Sequence, residues 1–301
     1  MNTMSIGAIG AVAYDPVSDR SKGLFATMHH TVADIACLVA EAGAAHHDGT
    51  RLTIRVPIPM GLDLRLVWCI RAPWRENAEL ACEAVIPIGR RGLAAIAYYG
   101  ANAASRRSPV VTRCREWALL EKTSANLSVS HSLAGDFKVE VLRHASQADI
   151  DRLEAIYQAS FQSYGGDLSS ASIARMMEEN TVSVARNSSG TIVAVTQAEI
   201  APLDIMGTAW RLVELSETAT DPDYRSMGLS QFCKMALVDA VRGSDTIIYA
   251  ESRANHGAVL RSNRKIGLRP VGRLEQHCRM DSHAKEFSQD SAYANLFVFA
   301  L

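Results

Sequence analysis

Residues 210 to 267 constrain the fold most. WRLVELSETAT (210–220) alternates as a strand, and DPDYRSMG breaks it with Pro222 and Gly228. LSQFCKMALVDAVRG then takes up a helical period, DTIIYAE is a short apolar run of the kind found in strands buried on both faces, and NHGAVLRSNRKIG is helical again. Strands that alternate with helices of this length build layered α/β architecture.

The same rhythm extends to both sides. FKVEVL (137–142) predicts a strand, SQADIDRLEAIYQASF (146–161) a Ser-capped helix, SASIARMMEEN a second helix, and TVSVARN, SSG and TIVAVTQAEI a strand, turn and strand. LRPVGRLEQHCRM and YANLFVFAL close the chain as strands, so the expected order from 137 is β-α-α-β-β-β-α-β-α-β-β. Upstream, the pattern predicts a helix over 31–42, a strand at RLTIRVPI (51–58), strands at 64–70 and 93–100, and a helix-like ENAELACEA (76–84) between them. Residues 1 to about 23 read as a loose arm. The polar stretch 106–135, with Ser108-Pro109 and KTSANLSVSHS, suits a boundary, which divides the chain into a small α/β unit (1–135) and a larger one (136–301). A length of 301 residues fits two domains, and no internal repeat is legible.

Composition narrows the function. Thirty-one Lys and Arg against 32 Asp and Glu give a net charge of -1, with no overall field to attract nucleic acid or an anionic membrane. No apolar run approaches membrane-spanning length, and the opening residues lack a basic lead-in to a signal segment. Cys37, Cys69, Cys82, Cys114, Cys233 and Cys278 lie far apart without metal-ligand spacing, as suits a reducing, cytoplasmic setting and no bound metal.

The chemistry concentrates at Asp221–Ser230. A helix N-terminus carries unsatisfied N–H groups at the positive end of its dipole, so a turn with Arg225 and Gly228 there can cradle a phosphate. The plain alternative is that Pro222 and Gly228 only stop and start elements.

With Arg225, Ser226, Met227, Gly228, Leu229 and Ser230 in this order, residues 137–301 resemble the GNAT superfamily of N-acetyltransferases. Its acyl-CoA signature is Arg or Gln, two residues, Gly, one residue, Gly or Ala. Ser230 departs from the last position but is still small. Pro222-Asp-Tyr and the Asn255…Ala258…Lys265-Ile-Gly-Leu268 segment sit where that superfamily has counterparts. VELSETATDPDYRSMGLS, SRA (252–254), RKIGLRPVGRL and NLFVF are most similar to the β-lysine N-acetyltransferases, in which a smaller α/β unit also precedes the catalytic one.

The resemblance implies a mixed central sheet flanked by helices, with two neighbouring parallel strands, here 210–220 and 246–252, splayed apart. The pantetheine arm would pair along Thr218, Ala219 and Thr220 through backbone groups, and Arg225 to Ser230, with Asn255 nearby, would complete the donor site. Glu214 is the candidate general base, against a structural ion pair. Glu217 falls on the other strand face unless a bulge restores it, and is the second choice, for gripping a cationic acceptor. No tyrosine stands where the superfamily often has its general acid. Ser262 and Asn263 lie near that turn, Tyr249 and His256 nearby in sequence, and the acid stays unassigned. Arg261, Arg264 and Lys265 face either the 3′-phosphate of CoA or solvent.

Other signals are weaker. His29-His30 and His46-His47 are adjacent pairs unsuited to one metal, Gly7…Gly10 has no strand ahead of it, and no GxSxG, HExxH or Walker A pattern occurs. Arg106, Arg107, Arg113 and Arg115 read as ordinary surface charge. The expected activity is N-acyl transfer from acetyl-CoA or another acyl-CoA to a small-molecule primary amine, without metal. The alternatives are the same chemistry from phosphopantetheine on an acyl carrier protein, or a non-catalytic CoA-binding regulatory module. Nucleic-acid and membrane partners are not expected, and a homodimer is left open.

Overall fold

The computed structural model describes residues 12–16, 18–25, 31–124, 133, 135–161, 167–205, 207–279 and 293–301. Gly7, Gly10, His29, His30 and residues 125–132 of the polar run lie outside the described residues.

The first half holds β1 (Val12–Asp15), β2 (Arg20–Leu24), α1 (Val32–Ala45), β3 (Arg51–Pro59), α2 (Leu64–Cys69), β4 (Arg71–Arg75), β5 (Ala78–Arg90), β6 (Leu93–Asn102) and α3 (Val110–Lys122). The second holds β7 (Lys138–Leu142), α4 (Gln147–Ser160), α5 (Ser170–Glu179), β8 (Thr181–Arg186), β9 (Ile192–Ile205), β10 (Thr208–Thr220), α6 (Leu229–Val241), β11 (Thr246–Arg253), α7 (Gly257–Lys265), β12 (Arg269–Arg279) and β13 (Tyr293–Ala300). From β7 onward the element order is the one the sequence predicts. Local signals explain why: Ser146 and Asp149 close a capping box on α4, and Ser169 caps α5.

Several upstream expectations are corrected. Residues 64–70 contain a helix, because Asp63 caps it, accepting from the Arg65 N–H at 2.9 Å. The helix buries Val67 and leaves Leu66 52% and Trp68 38% exposed, whereas a strand would bury every second residue. ENAELACEA is not a helix but the start of β5, which buries Ala78, Leu80, Cys82 and Ala84 in alternation. Its Glu, Ala and Leu favour helix, but pairing with β4 and β6 outweighs that weak preference. The arm expected to be loose contains the β1–β2 hairpin. The stretch expected to be a polar boundary contains α3, whose Leu120 packs with Val213, Ile248 and Phe297.

All the described strands join one mixed sheet in the order β1-β2-β3-β6-β5-β12-β13-β11-β10-β9-β8-β7, with β4 on β5. This order contains a repeat that the sequence does not show. The run β2-α1-β3-α2-β5-β6 and the run β10-α6-β11-α7-β12-β13 share one topology. Each starts with a parallel pair and adds its last two strands antiparallel, the later one inside. The repeats meet where β5 pairs with β12 at Gly272 and Ala84. A Cβ at Gly272 would lie 2.3 Å from both Ala84 Cβ and Glu83 O, so this seam admits only glycine. Gly272→Val is expected to destabilise the protein by about 2–4 kcal/mol through overpacking, seen as a lowered Tm. An unchanged Tm would show that the seam can open without cost.

The sheet curls so that one core is shared: Ile96 and Tyr98 of the first half pack with Trp210, Leu212, Ile247, Tyr249, Leu296 and Val298 of the second. Polar groups reinforce the seam. Arg51, fully buried, donates to Glu275 O at 2.6 Å and His277 Nδ1 at 3.1 Å, and pairs with Glu83. Arg106 is 1% exposed and donates to Gln276 O at 2.6 Å and His277 O at 2.9 Å. It is therefore not surface charge, contrary to expectation: its guanidinium satisfies carbonyls where β12 shifts register between Leu274 and Cys278.

Behind the sheet, Lys234 of α6 is 1% exposed and donates to Asn263 Oδ1 at 2.6 Å, while Asn263 Nδ2 donates to Ser252 Oγ at 2.9 Å. Burial pulls its pKa down to about 7. The unfolded chain then binds the extra proton from about pH 7 up to the ordinary lysine value, so stability rises with pH across that interval. Lys234→Met is expected to stabilise by about 1–2 kcal/mol at pH 7 and to flatten that rise. Melting curves between pH 6 and 9 check both, and an unaltered slope would refute the assignment.

Candidate functional site

The parallel pair β10 and β11 is in register from Arg211 and Thr246 to Glu214 and Tyr249, and no further. Beyond Glu214, β10 continues against β9 and β11 against β13, so the two part and open a wedge. The geometry expected of residues 210–220 and 246–252 is present. At the parting β10 carries a bulge between Ser216 and Ala219, with Glu217 at φ 37°. A bulge bends its strand away and re-aims a side chain. Gln197 Nε2 donates to Glu217 Oε2, which brings Glu217 to the Glu199 side of the strand.

Glu214 stands at the foot of the wedge. Tyr249 Oη donates to Glu214 Oε2 at 2.6 Å, and no cation lies within ion-pair distance of it among the described residues. Burial and the Glu251 charge push its pKa up to about 7, against the opposing influence of Lys22 and the Tyr249 hydrogen bond. Glu199, directly opposite on β9, is likewise raised to about 7 by burial and the Glu217 charge, while Ser216 Oγ donates to its Oε1 at 2.7 Å. A carboxylate with such a pKa is matched to taking a proton near neutrality.

Thr218, Ala219 and Thr220 form the upper wall on β10. Ala219 turns its methyl into the core with Leu153, Ile156 and Val195, and Thr220 O accepts from Arg225 Nε at 3.3 Å. Beyond them, Asp221 caps a short 3-10 turn, accepting from the Asp223 N–H at 3.0 Å, and pairs with Arg152. Ser226 (φ 65°) and Gly228 (φ 79°) are both left-handed, and no side chain caps α6 at Gly228. The Gln231 N–H is taken by Gly228 O at 2.9 Å, which leaves the Leu229 and Ser230 N–H groups of the first turn without a side-chain cap, next in sequence to the exposed Arg225 and Met227. Ser230 is half-buried and Leu229 buried. A Cβ at Gly228 would meet nothing nearer than Phe232 at 4.0 Å, so the space before the turn is open. That cradle fits an anionic group.

No family model matches the chain, and no curated protein does. Solved structures do. Arabidopsis thaliana NAA60 in complex with acetyl-CoA is similar at 14% identity and TM-score 0.45, over 55% of this chain and 97% of that one. The ribosomal-protein-S18-alanine N-acetyltransferase of Escherichia coli matches at 18% identity and TM-score 0.41, over 55% and 92%. A spermidine N-acetyltransferase SpeG variant of Vibrio cholerae matches at 10% and 0.41, over 55% and 93%.

Asn255 lies half-buried in the turn between β11 and α7. On α7, Arg261 is exposed, while Arg264 and Lys265 are half-buried in its last turn, where cations complement the helix dipole. Ser262 and Asn263 point into the core, Asn263 being held by Lys234 and Ser252, so neither faces the wedge. His47 bonds Ala44 O at 3.0 Å, and among the described residues no cluster of three or more His, Cys, Asp or Glu could hold a metal. No helix among them is long and apolar enough to cross a membrane. A groove of about 1050 Å³ lies elsewhere, between β5, α3 and β12, and is lined by none of the residues 214–230.

Sequence reasoning missed Glu199, Glu251, Arg55 and Lys22, and left Tyr249 without a role. Nothing local marks them: Glu199 meets Glu214 only through antiparallel register, and Lys22 and Arg55 come from the far end of the curled sheet.

Proposed function

We propose that the chain is an N-acyltransferase that moves an acyl group from an acyl-CoA thioester to the primary amine of a small molecule. The observation that carries this reading is the wedge, with Glu214 at its foot and an uncapped helix turn at Gly228 at its head. Pantetheine amides can pair along the parted edges at Thr218 to Thr220, and the pyrophosphate suits the N–H groups and Arg225 at residues 225–230. Asn255, in the turn between β11 and α7, is assigned to the same donor site as part of this proposal.

An alkylammonium is deprotonated at only roughly one part in a thousand at pH 7, so a base matters. The amine nitrogen attacks the thioester carbonyl carbon, Glu214 takes its proton directly or through a water, the C–S bond breaks, and the thiolate leaves to be protonated from solvent. The acidic wall of Glu199, Glu214, Glu217 and Glu251 supports a cationic acceptor, with Glu217 gripping it. The similarity to β-lysine N-acetyltransferases makes diamino acids the first compounds to assay. We place the catalytic machinery in residues 136–301, with residues 1–135 recognising the acceptor or a partner. An acyl carrier protein offers the same arm with a single phosphate, which uses less of the 225–230 cradle.

The test is thiol release from acetyl-CoA in the presence of a panel of amines, with acetylated acyl carrier protein as a second donor. Amine-dependent release of free CoA supports the reading. Donor binding without turnover on any amine would leave a CoA-binding module instead.

A further inference from the structure

Arg55 lies on β3, at the centre of the first half, yet its guanidinium enters the wedge of the second. Its Nη1 donates to Tyr249 Oη at 3.0 Å, and that hydroxyl donates to Glu214 Oε2 at 2.6 Å. A phenol has one hydrogen. With its oxygen accepting from Arg55, that hydrogen is aimed at Glu214, so Oε2 is occupied and Oε1 is the oxygen left to take a proton.

The guanidinium is costly where it stands. Among the described residues it forms no ion pair within 4 Å; its Nε is buried without a hydrogen-bond partner, and its neighbour besides Tyr249 is Tyr98, whose ring centre is 5.8 Å away and whose hydroxyl interacts with the guanidinium. A half-buried cation without a contacting carboxylate recovers little of its desolvation cost, so a merely structural strut between the halves would be poorly served by it. Burial disfavours its charge, but Tyr249, Tyr98, Glu251 and Glu214 around it hold it firmly protonated.

We propose that Arg55 is a positioning residue: supplied by the first half of the chain, it orients the Tyr249 hydroxyl onto Glu214 and so fixes which carboxylate oxygen accepts the proton. This deepens the acyl-transfer reading and rests on it. The groups that face Glu214 are Glu199 from β9, Tyr249 and Glu251 from β11, Lys22 from β2, Arg55 from β3 and Tyr98 from β6. Removing Arg55 subtracts a positive charge and releases the hydroxyl, and both changes favour the protonated carboxyl.

The experiment compares Arg55→Met, Arg55→Lys, Tyr249→Phe and the Arg55→Met/Tyr249→Phe pair in the full chain. Arg55→Met is expected to lower kcat roughly tenfold, leave the donor KM within twofold, and move the acidic midpoint of the kcat profile up by about 1 pH unit. Arg55→Lys should recover part of the loss. The double variant should be no slower than Tyr249→Phe, because the two residues act through one hydrogen. An unmoved midpoint, or losses that multiply, overturns the proposal. Tyr249→Phe keeps β3 intact and reports on the same carboxyl should Arg55→Met fail to fold. A carboxyl-carbon NMR titration of Glu214, assigned with Glu214→Gln, needs no turnover. If the wild type transfers no acyl group but Arg55→Lys or Tyr249→Phe still moves that titration, the acyl-transfer reading fails and the positioning stands. If turnover is normal and the titration does not move, the positioning fails alone.

Discussion

Glu214→Gln is expected to lower kcat by about 10² to 10³ and to remove the acidic limb of its pH profile, with donor binding unchanged. In the wild type that limb rises through about pH 7, where Glu214 loses its proton. The amide keeps the shape and the Tyr249 partner but cannot take a proton. The same substitution should act on stability in the opposite sense. A carboxyl whose folded pKa stands above its unfolded value stabilises the folded state below the unfolded pKa and loses that contribution as pH rises through the folded one. Glu214→Gln should therefore raise Tm by a few degrees at pH 8 and little at pH 5. A slower and more stable protein at pH 8 identifies a strained base, whereas a slower and less stable one identifies a structural partner. Unchanged kcat removes Glu214 from the chemistry.

Gly228→Val is expected to raise the apparent donor KM by about 10- to 100-fold, with a much smaller change in kcat at saturating donor. Two causes must be separated. At φ 79° a branched residue is strained by about 1–2 kcal/mol, and its methyls would occupy the open space before α6 where a phosphate would sit. Gly190, in the turn between β8 and β9, has φ 80° and nothing within 4 Å. Gly190→Val therefore carries the strain without the obstruction. Calorimetric titration of CoA should show weakened binding for Gly228→Val alone. Equal losses in both variants, or none in either, would remove the cradle from the donor site.

How much of this was legible in the chain depends on range. The run from β7 to β13 was legible because capping, period and turn chemistry act within a few residues: Ser146 with Asp149, alternation through Glu214, Gly228 at a left-handed position. Elements of the first half were misassigned where short apolar or helix-favouring stretches are decided by their neighbours. Residues 64–69 wind up beneath an Asp63 cap, and residues 78–84 extend because β4 and β6 supply hydrogen-bonding edges. The repeat between the halves is invisible in residue identities because a sheet constrains hydropathy and backbone pairing, which many sequences satisfy.

By itself, then, the sequence determined the elements of the second half, the turn at 221–230 and the strand that carries Glu214, since each follows from contacts between near neighbours. Only the tertiary structure decided where β10 and β11 part, that a bulge swings Glu217 towards Glu199, and that Arg55 reaches across the curled sheet to Tyr249. Those facts depend on register and curvature, which join residues up to 194 positions apart, and no local pattern encodes them.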